Sequence, residues 1–325
     1  MIESPFFYSK ILLFGEYSII LHSMGLAVPY HLFGGRLVLK HITDGSRRIQ
    51  QSNRELKAFC EYIKYKTNQN QIEVDFDFTS LEFDIAQGLY FQSNIPQGFG
   101  VGSSGALTAA LYERYVYDKA DRGKPLSNDA ILQLKIIFGQ MESHFHGSSS
   151  GVDPLICYLN QPLLIKSKTE IEAVKIPEFN GMKNHEKDTA ENHLGAIFLL
   201  NTNRPRKTEP LVNLFLEKCK QEEFKNICKD ELMVYNDNCI NYFLTGESQK
   251  LLEELKKVSQ FQFEHFQPMI PPLYRQIWQY GLQSNKYYLK LCGAGGGGFI
   301  LGFTPNFNAI RTALTDYQLR VVYKL

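Results

Sequence analysis

The chain has almost no net charge: 35 Lys and Arg face 34 Asp and Glu, leaving a balance of +1. Nucleic-acid or anionic-membrane binding needs an excess of cationic surface, so neither partner is expected, and any anion must be held locally. No window of 18 residues is free of charge and polarity, so no transmembrane helix is expected. Cysteine is unpatterned. The six residues at 60, 157, 219, 228, 239 and 292 form no C-x-x-C pair and no spacing of a disulfide framework or zinc ribbon. They read as buried reduced thiols of a cytoplasmic protein. Repeats, low-complexity tracts and the basic, apolar start of a secretory signal are also missing, which argues against solenoids, propellers and export.

What is present is an average globular composition, 325 residues with 44% hydrophobic and 21% charged. That length supports a sizeable core without metal or disulfide staples. Short β-rich runs at 11–14, 35–40, 72–78 and 163–165 interleave with helical patterns at 52–65, 104–117 and 127–145. The polar stretch 180–192 separates two foldable regions, giving expected domains 1–190 and 191–325. Beyond it, a strand at 194–200 precedes helices at 209–227, 230–244, 248–266 and 273–281. The chain then reads strand (287–291), glycine turn, strand (298–303), helix (307–316) and strand (318–323). The expected fold class is α+β.

Nine of the 24 glycines fall within 98–105 and 293–298. In the first window, Gly98, Gly100 and Gly102 alternate and lead into Ser103 and Ser104, after which an Ala- and Leu-rich helix begins. Glycines let a backbone approach a ligand, and the open N–H groups and dipole of a first helical turn attract anions. Phosphate is the natural occupant. The spacing is not that of a P-loop, because no Lys follows, nor a dinucleotide fingerprint, because no strand is evident immediately before Gly98. A serine-capped turn is the plain alternative. The second window, Gly293 and Gly295–Gly298, exceeds what a hairpin turn needs, and close approach to a ligand or another loop explains it better.

Lys10 enters an apolar strand and Glu16 follows it in a turn. A lysine at a strand edge is normally a solvated gatekeeper. Glu142 lies near a helix end and Asp153 after a Gly/Ser loop, so two carboxylates can be returned to one site. Such a pair suits magnesium and a hydroxyl nucleophile. A zinc site at His144 and His146 is disfavoured, because residues two apart on a helix diverge and no cysteine is near. A serine hydrolase is disfavoured too, since Ser103 and Ser104 sit in Gly-Ser-Ser-Gly rather than G-x-S-x-G.

Three segments, SKILLFGEY at 9–17, PQGFGVGSSGA at 96–106 and KLCGAGGGGF at 290–299, resemble in order and form those of the GHMP kinase superfamily (galactokinase, homoserine kinase, mevalonate kinase, phosphomevalonate kinase). The likeness is greatest to mevalonate kinases: HGSSSGVD at 146–153 is similar to their H-G-x-P-S-G-x-D, with Glu142 before it. TNRPRKTEPLV at 202–212 resembles their segment around Pro-Arg-x-Thr. The resemblance implies a ribosomal-protein-S5-like first domain, a ferredoxin-like second domain, and ATP-dependent phosphorylation of the C5 hydroxyl of mevalonate between them. It implies further that Gly98, Gly100, Gly102, Ser103 and Ser104 wrap the ATP phosphates and that Ser104 and Glu142 hold Mg2+. Lys10 and Asp153 would act at the reacting hydroxyl. Glu16, Tyr17, Thr208 and Ala294 would line the substrate. Two departures stand out: Tyr17 replaces a common histidine, and Ser149 replaces the proline. Other superfamily acceptors (phosphomevalonate, homoserine, a sugar), a diphosphomevalonate decarboxylase and a catalytically silent ligand-binding regulator remain as alternatives, and a homodimer stays open. The joint presence of Lys10, Glu142 and Asp153 weighs against the decarboxylase and the silent regulator.

Overall fold

The apolar run 7–14 folds as β1 (Phe7–Phe14), which pairs antiparallel with the long β2 (Gly25–Leu39). The computed structural model describes residues 4–39, 46–177, 195–206 and 209–325. Because β2 spans 15 residues, it also pairs with β3 (Leu89–Ser93) and with β4 (Leu163–Ser167), and β4 pairs with β5 (Glu170–Ala173). Helices α1 (Arg47–Asn68), α2 (Phe78–Ala86), α3 (Ser103–Tyr115), α4 (Asn128–His146) and α5 (Val152–Leu159) accompany this sheet. A second antiparallel sheet runs in the order β7 (Tyr288–Leu291), β8 (Phe299–Thr304), β6 (Ala196–Asn201), β9 (Leu319–Lys324). With it come α6 (Glu209–Lys218), α7 (Glu222–Ile227), α8 (Val234–Thr245), α9 (Ser248–His265), α10 (Pro272–Ser284) and α11 (Phe307–Ala313). The fold is α+β, as expected.

The core holds large side chains closed to solvent, among them Phe59, Phe138, Phe198 and Trp278. Each contributes about 1.5–3 kcal/mol by leaving water. Helix α3 is buried along almost its whole length because its first turns carry Gly105, Ala106, Ala109 and Ala110. A Cβ on Gly105 would lie 2.8 Å from the Asp153 carbonyl carbon, so this glycine lets α3 and the start of α5 touch. That contact helps to bring Asp153 to the serine end of α3.

Several expectations change. The run 72–78 is no strand: Phe76 makes one isolated bridge to Val116, and Asp77 caps α2 by accepting from the Ser80 N–H at 2.9 Å. The strand missing before the first glycine window is β3, whose five residues LYFQS gave little alternation to recognise. The helix expected over 209–227 is two, α6 and α7, and a π-helical turn at Cys228–Met233 joins α7 to α8. The expected boundary at 190 lies outside the described residues. All six cysteines are free, Cys219 half-buried and the others buried. Among the described residues, no helix is long and apolar enough to cross a membrane.

The two glycine windows meet. Gly298 adopts φ +71°, and a Cβ there would lie 2.8 Å from the Phe99 backbone. The Gly298 N–H donates to the Arg204 carbonyl, while its own carbonyl accepts from the Thr202 N–H and hydroxyl at 2.9 and 2.7 Å. Gly298→Ala should therefore lower unfolding stability by about 1–3 kcal/mol, read from the midpoint of a urea transition. An unchanged midpoint would show that the contact can relax.

Candidate active site

Four sequence-distant elements converge at the end of α3. Lys10, on β1, is buried, and its Nζ lies 2.8 Å from Asp153 Oδ1 in the first turn of α5. It is therefore not a solvated edge lysine. Burial disfavours the Lys10 ammonium, but the charge and hydrogen bond of Asp153 more than offset it, and its pKa is raised. The Lys10 N–H donates to the Val101 carbonyl at 3.0 Å, tying β1 to the glycine loop directly. Asp153 is partly exposed, so the pair faces outward through its carboxylate.

Beside this pair, Ser104 Oγ donates to Glu142 Oε1 at 2.8 Å. Glu142 is only 3% exposed. Burial, with the Asp153 charge adding, pushes its carboxyl up to about 7, against hydrogen bonds from Ser149 and Ser104 and the charge of Lys10. His146 Nε2 lies 3.0 Å from Ser104 Oγ. Gly102 precedes α3 with φ 83°, and Ser103 and Ser104 form its first turn. The N–H groups at that turn precede the helical ladder and stay available to an anion.

Among the described residues, no cluster of three or more His, Cys, Asp and Glu side chains could hold a metal by itself. A buried hydroxyl–carboxylate pair fits Mg2+ nonetheless, because that ion takes one or two carboxylates and completes its shell with water and phosphate.

On the expected substrate side, Glu16 and Tyr17 make contacts to the second sheet and to the link after β7. Glu16 is buried and paired with Lys290 on β7; Lys290 Nζ also donates to the Leu291 carbonyl at 3.1 Å. Burial raises the Glu16 pKa, while Lys290 opposes the rise. Glu16 is thus taken up by an ion pair joining the β1 turn to the second sheet. Tyr17 donates its hydroxyl to the Ala294 carbonyl at 2.6 Å and packs on Phe215 and Phe266. Ala294 is itself buried, so it contributes backbone to this latch. Thr208 lies outside the described residues.

Arg206, within the 202–212 segment, bridges the two glycine windows. Its Nη1 donates to the Gly295 carbonyl at 2.8 Å, and its N–H donates to the Gly98 carbonyl at 2.9 Å. The guanidinium fills the space beside Gly100 and Gly293, where a Cβ would lie 2.1 and 2.5 Å from Nη2. Its Nε is buried without a hydrogen-bond partner. Arg204 and Arg206 share the segment TNRPRKTEPLV, and nothing local in the sequence singled out Arg206.

Residues 57–161 match the family model described as GHMP kinases N terminal domain. Among solved structures, the chain is similar to Streptococcus pneumoniae phosphomevalonate kinase in complex with phosphomevalonate and AMPPNP (14% identity, 100% of this chain, 99% of that chain, TM-score 0.61). It is also similar to L. major mevalonate kinase in complex with R-mevalonate (15% identity, 99% and 96% covered, TM-score 0.60). Lactococcus lactis galactokinase complexed with galactose is a further likeness (14%, 98% and 92%, TM-score 0.62). The chain has the GHMP kinase fold. No curated protein matches it in sequence. Within this fold, the two sheets lie on either side of the junction made by Glu16–Lys290 and Tyr17–Ala294.

The Glu16 pair predicts a stability signature. Lys290→Met should destabilise the protein by about 3–5 kcal/mol by orphaning a buried carboxylate, and adding Glu16→Gln should recover much of that loss. A double-mutant cycle in urea reads both. Additive losses would mean the two charges do not depend on each other.

Proposed function

We propose that the protein is an ATP-dependent kinase that transfers the γ-phosphoryl group to an alcohol, with the C5 hydroxyl of mevalonate as the acceptor. The observation that carries this reading is the Lys10–Asp153 pair at 2.8 Å beside the Ser104–Glu142 bond at 2.8 Å, all at the serine end of α3. Phosphoryl transfer asks chiefly for positioning and charge neutralisation, and these groups supply both. Amides of the first turn of α3 and the 98–102 loop would hold the nucleotide phosphates. Ser104 and Glu142 would hold Mg2+, which neutralises phosphate charge when bound. Lys10 would stabilise the transferred group. Asp153 would orient the acceptor hydroxyl and take its proton as the new O–P bond forms and the bond to ADP breaks.

Asp153→Asn should lower kcat by about 10²–10⁴ while nucleotide affinity changes little. Steady-state kinetics with calorimetric titration of AMPPNP reads both quantities, and an unaltered kcat sinks the assignment.

A second reading, phosphomevalonate as acceptor, is favoured by Arg206, whose buried unpartnered Nε suits an additional anionic group. Tyr17 also commits its hydroxyl to Ala294, leaving the acceptor's carboxylate to be met by other groups. ADP release measured with mevalonate, phosphomevalonate, homoserine and galactose separates the readings. Mevalonate should give the highest kcat/KM; turnover of phosphomevalonate alone would select the second reading, and nucleotide binding without turnover of any acceptor would reject both.

A further inference from the structure

Ser149 stands where the resembled segment has proline, and the catalytic reading gives it no task. Its Oγ donates to Glu142 Oε2 at 2.5 Å and accepts from the Gly151 N–H at 3.1 Å. Its own N–H donates to Ser143 Oγ at 3.1 Å, and Ser143 in turn donates to the Gly139 carbonyl at 2.7 Å. A proline has neither the hydroxyl nor the N–H, so it could make none of the three bonds formed by Ser149. The result is a buried carboxylate with a hydroxyl on each oxygen: Ser104 on Oε1 and Ser149 on Oε2.

The two hydroxyls are not equivalent. Ser104 begins α3 at the glycine loop, on the side where phosphates would lie, whereas Ser149 is held from behind by Gly151 and α4. Gly151 is the cap of α5, so one hydroxyl ties Glu142 to the start of the helix that carries Asp153.

We propose that Ser149 is a positioning residue that reserves one oxygen of Glu142, so that the carboxylate offers a divalent cation a single oxygen and the site favours Mg2+ over Ca2+. Ca2+ takes six to eight oxygens and often both from one carboxylate, whereas Mg2+ needs fewer ligands at shorter distance. A larger cation recruiting Oε2 competes with Ser149 for that oxygen, and a hydrogen bond to a carboxylate that is only 3% exposed is among the stronger ones. The inference rests on the reading that Ser104 and Glu142 take the cation.

The test uses the full chain with AMPPNP, Mn2+ binding followed by electron paramagnetic resonance, and displacement of Mn2+ by Mg2+ or Ca2+. For the unaltered protein, Mg2+ should displace Mn2+ at the lower concentration. Ser149→Ala should shift the ratio of the two displacement midpoints toward Ca2+ by about tenfold. Ser149→Thr keeps the hydroxyl and should keep the ratio, while Ser149→Pro should behave as Ser149→Ala. An unchanged ratio in Ser149→Ala overturns the inference. Glu142→Gln separates this from the underlying reading: it should abolish Mn2+ binding beyond that of AMPPNP alone, and if it does not, the cation assignment itself fails.

Discussion

An ammonium closed to solvent must have a carboxylate beside it, and that requirement organises the first half of the molecule. Lys10 sits inside β1 with its Nζ 2.8 Å from Asp153. An unpaired charge there would be strongly disfavoured, so β1, the glycine loop and the start of α5 have to arrive together. The backbone bond from Lys10 to Val101 and the close α3–α5 contact at Gly105 serve the same end. The outcome is a fixed cation flanked by two carboxylates of different character: Asp153 partly exposed, Glu142 buried and hydrogen-bonded by two serines.

A second buried pair works between the halves. Glu16 follows directly from β1, and Lys290 lies on β7, so the strand that carries Lys10 also reaches the second sheet. Tyr17 continues this junction through the Ala294 carbonyl and the rings of Phe215 and Phe266. Residues 9–17 thus alternate between two tasks within one short segment: the lysine faces the serine end of α3, and the glutamate and tyrosine secure the glycine-rich link after β7. The glycines of that link are explained by neighbours as much as by any ligand, since Gly298 lies against Phe99, and Gly293 and Gly100 flank Arg206.

Much of this was legible in residue order. The glycines and serines at 98–104 marked a turn leading into a helix, because they are the residues that expose backbone N–H groups at a helix start, and α3 begins at Ser103. Glu142 and Asp153 could be paired because only a short Gly/Ser loop separates their helices. The pairing of Glu16 with Lys290 could not be read, because nothing local marks a glutamate bound for a lysine 274 positions away. Likewise 72–78 had the composition of a strand, but its pairing is limited to one bridge between 75–77 and 115–117, and an aspartate cap turned its end into α2.

Composition, glycine placement and the alternation of short and long apolar patterns determined the α+β class, because propensity and turn chemistry act over a few residues. Which carboxylate stays open, which is locked away with Lys290, and what Ser149 and Arg206 touch were decided only in three dimensions. Those outcomes depend on burial and on contacts between segments up to 277 positions apart, as in Tyr17 and Ala294, and water exclusion at such contacts is a property of the packed molecule.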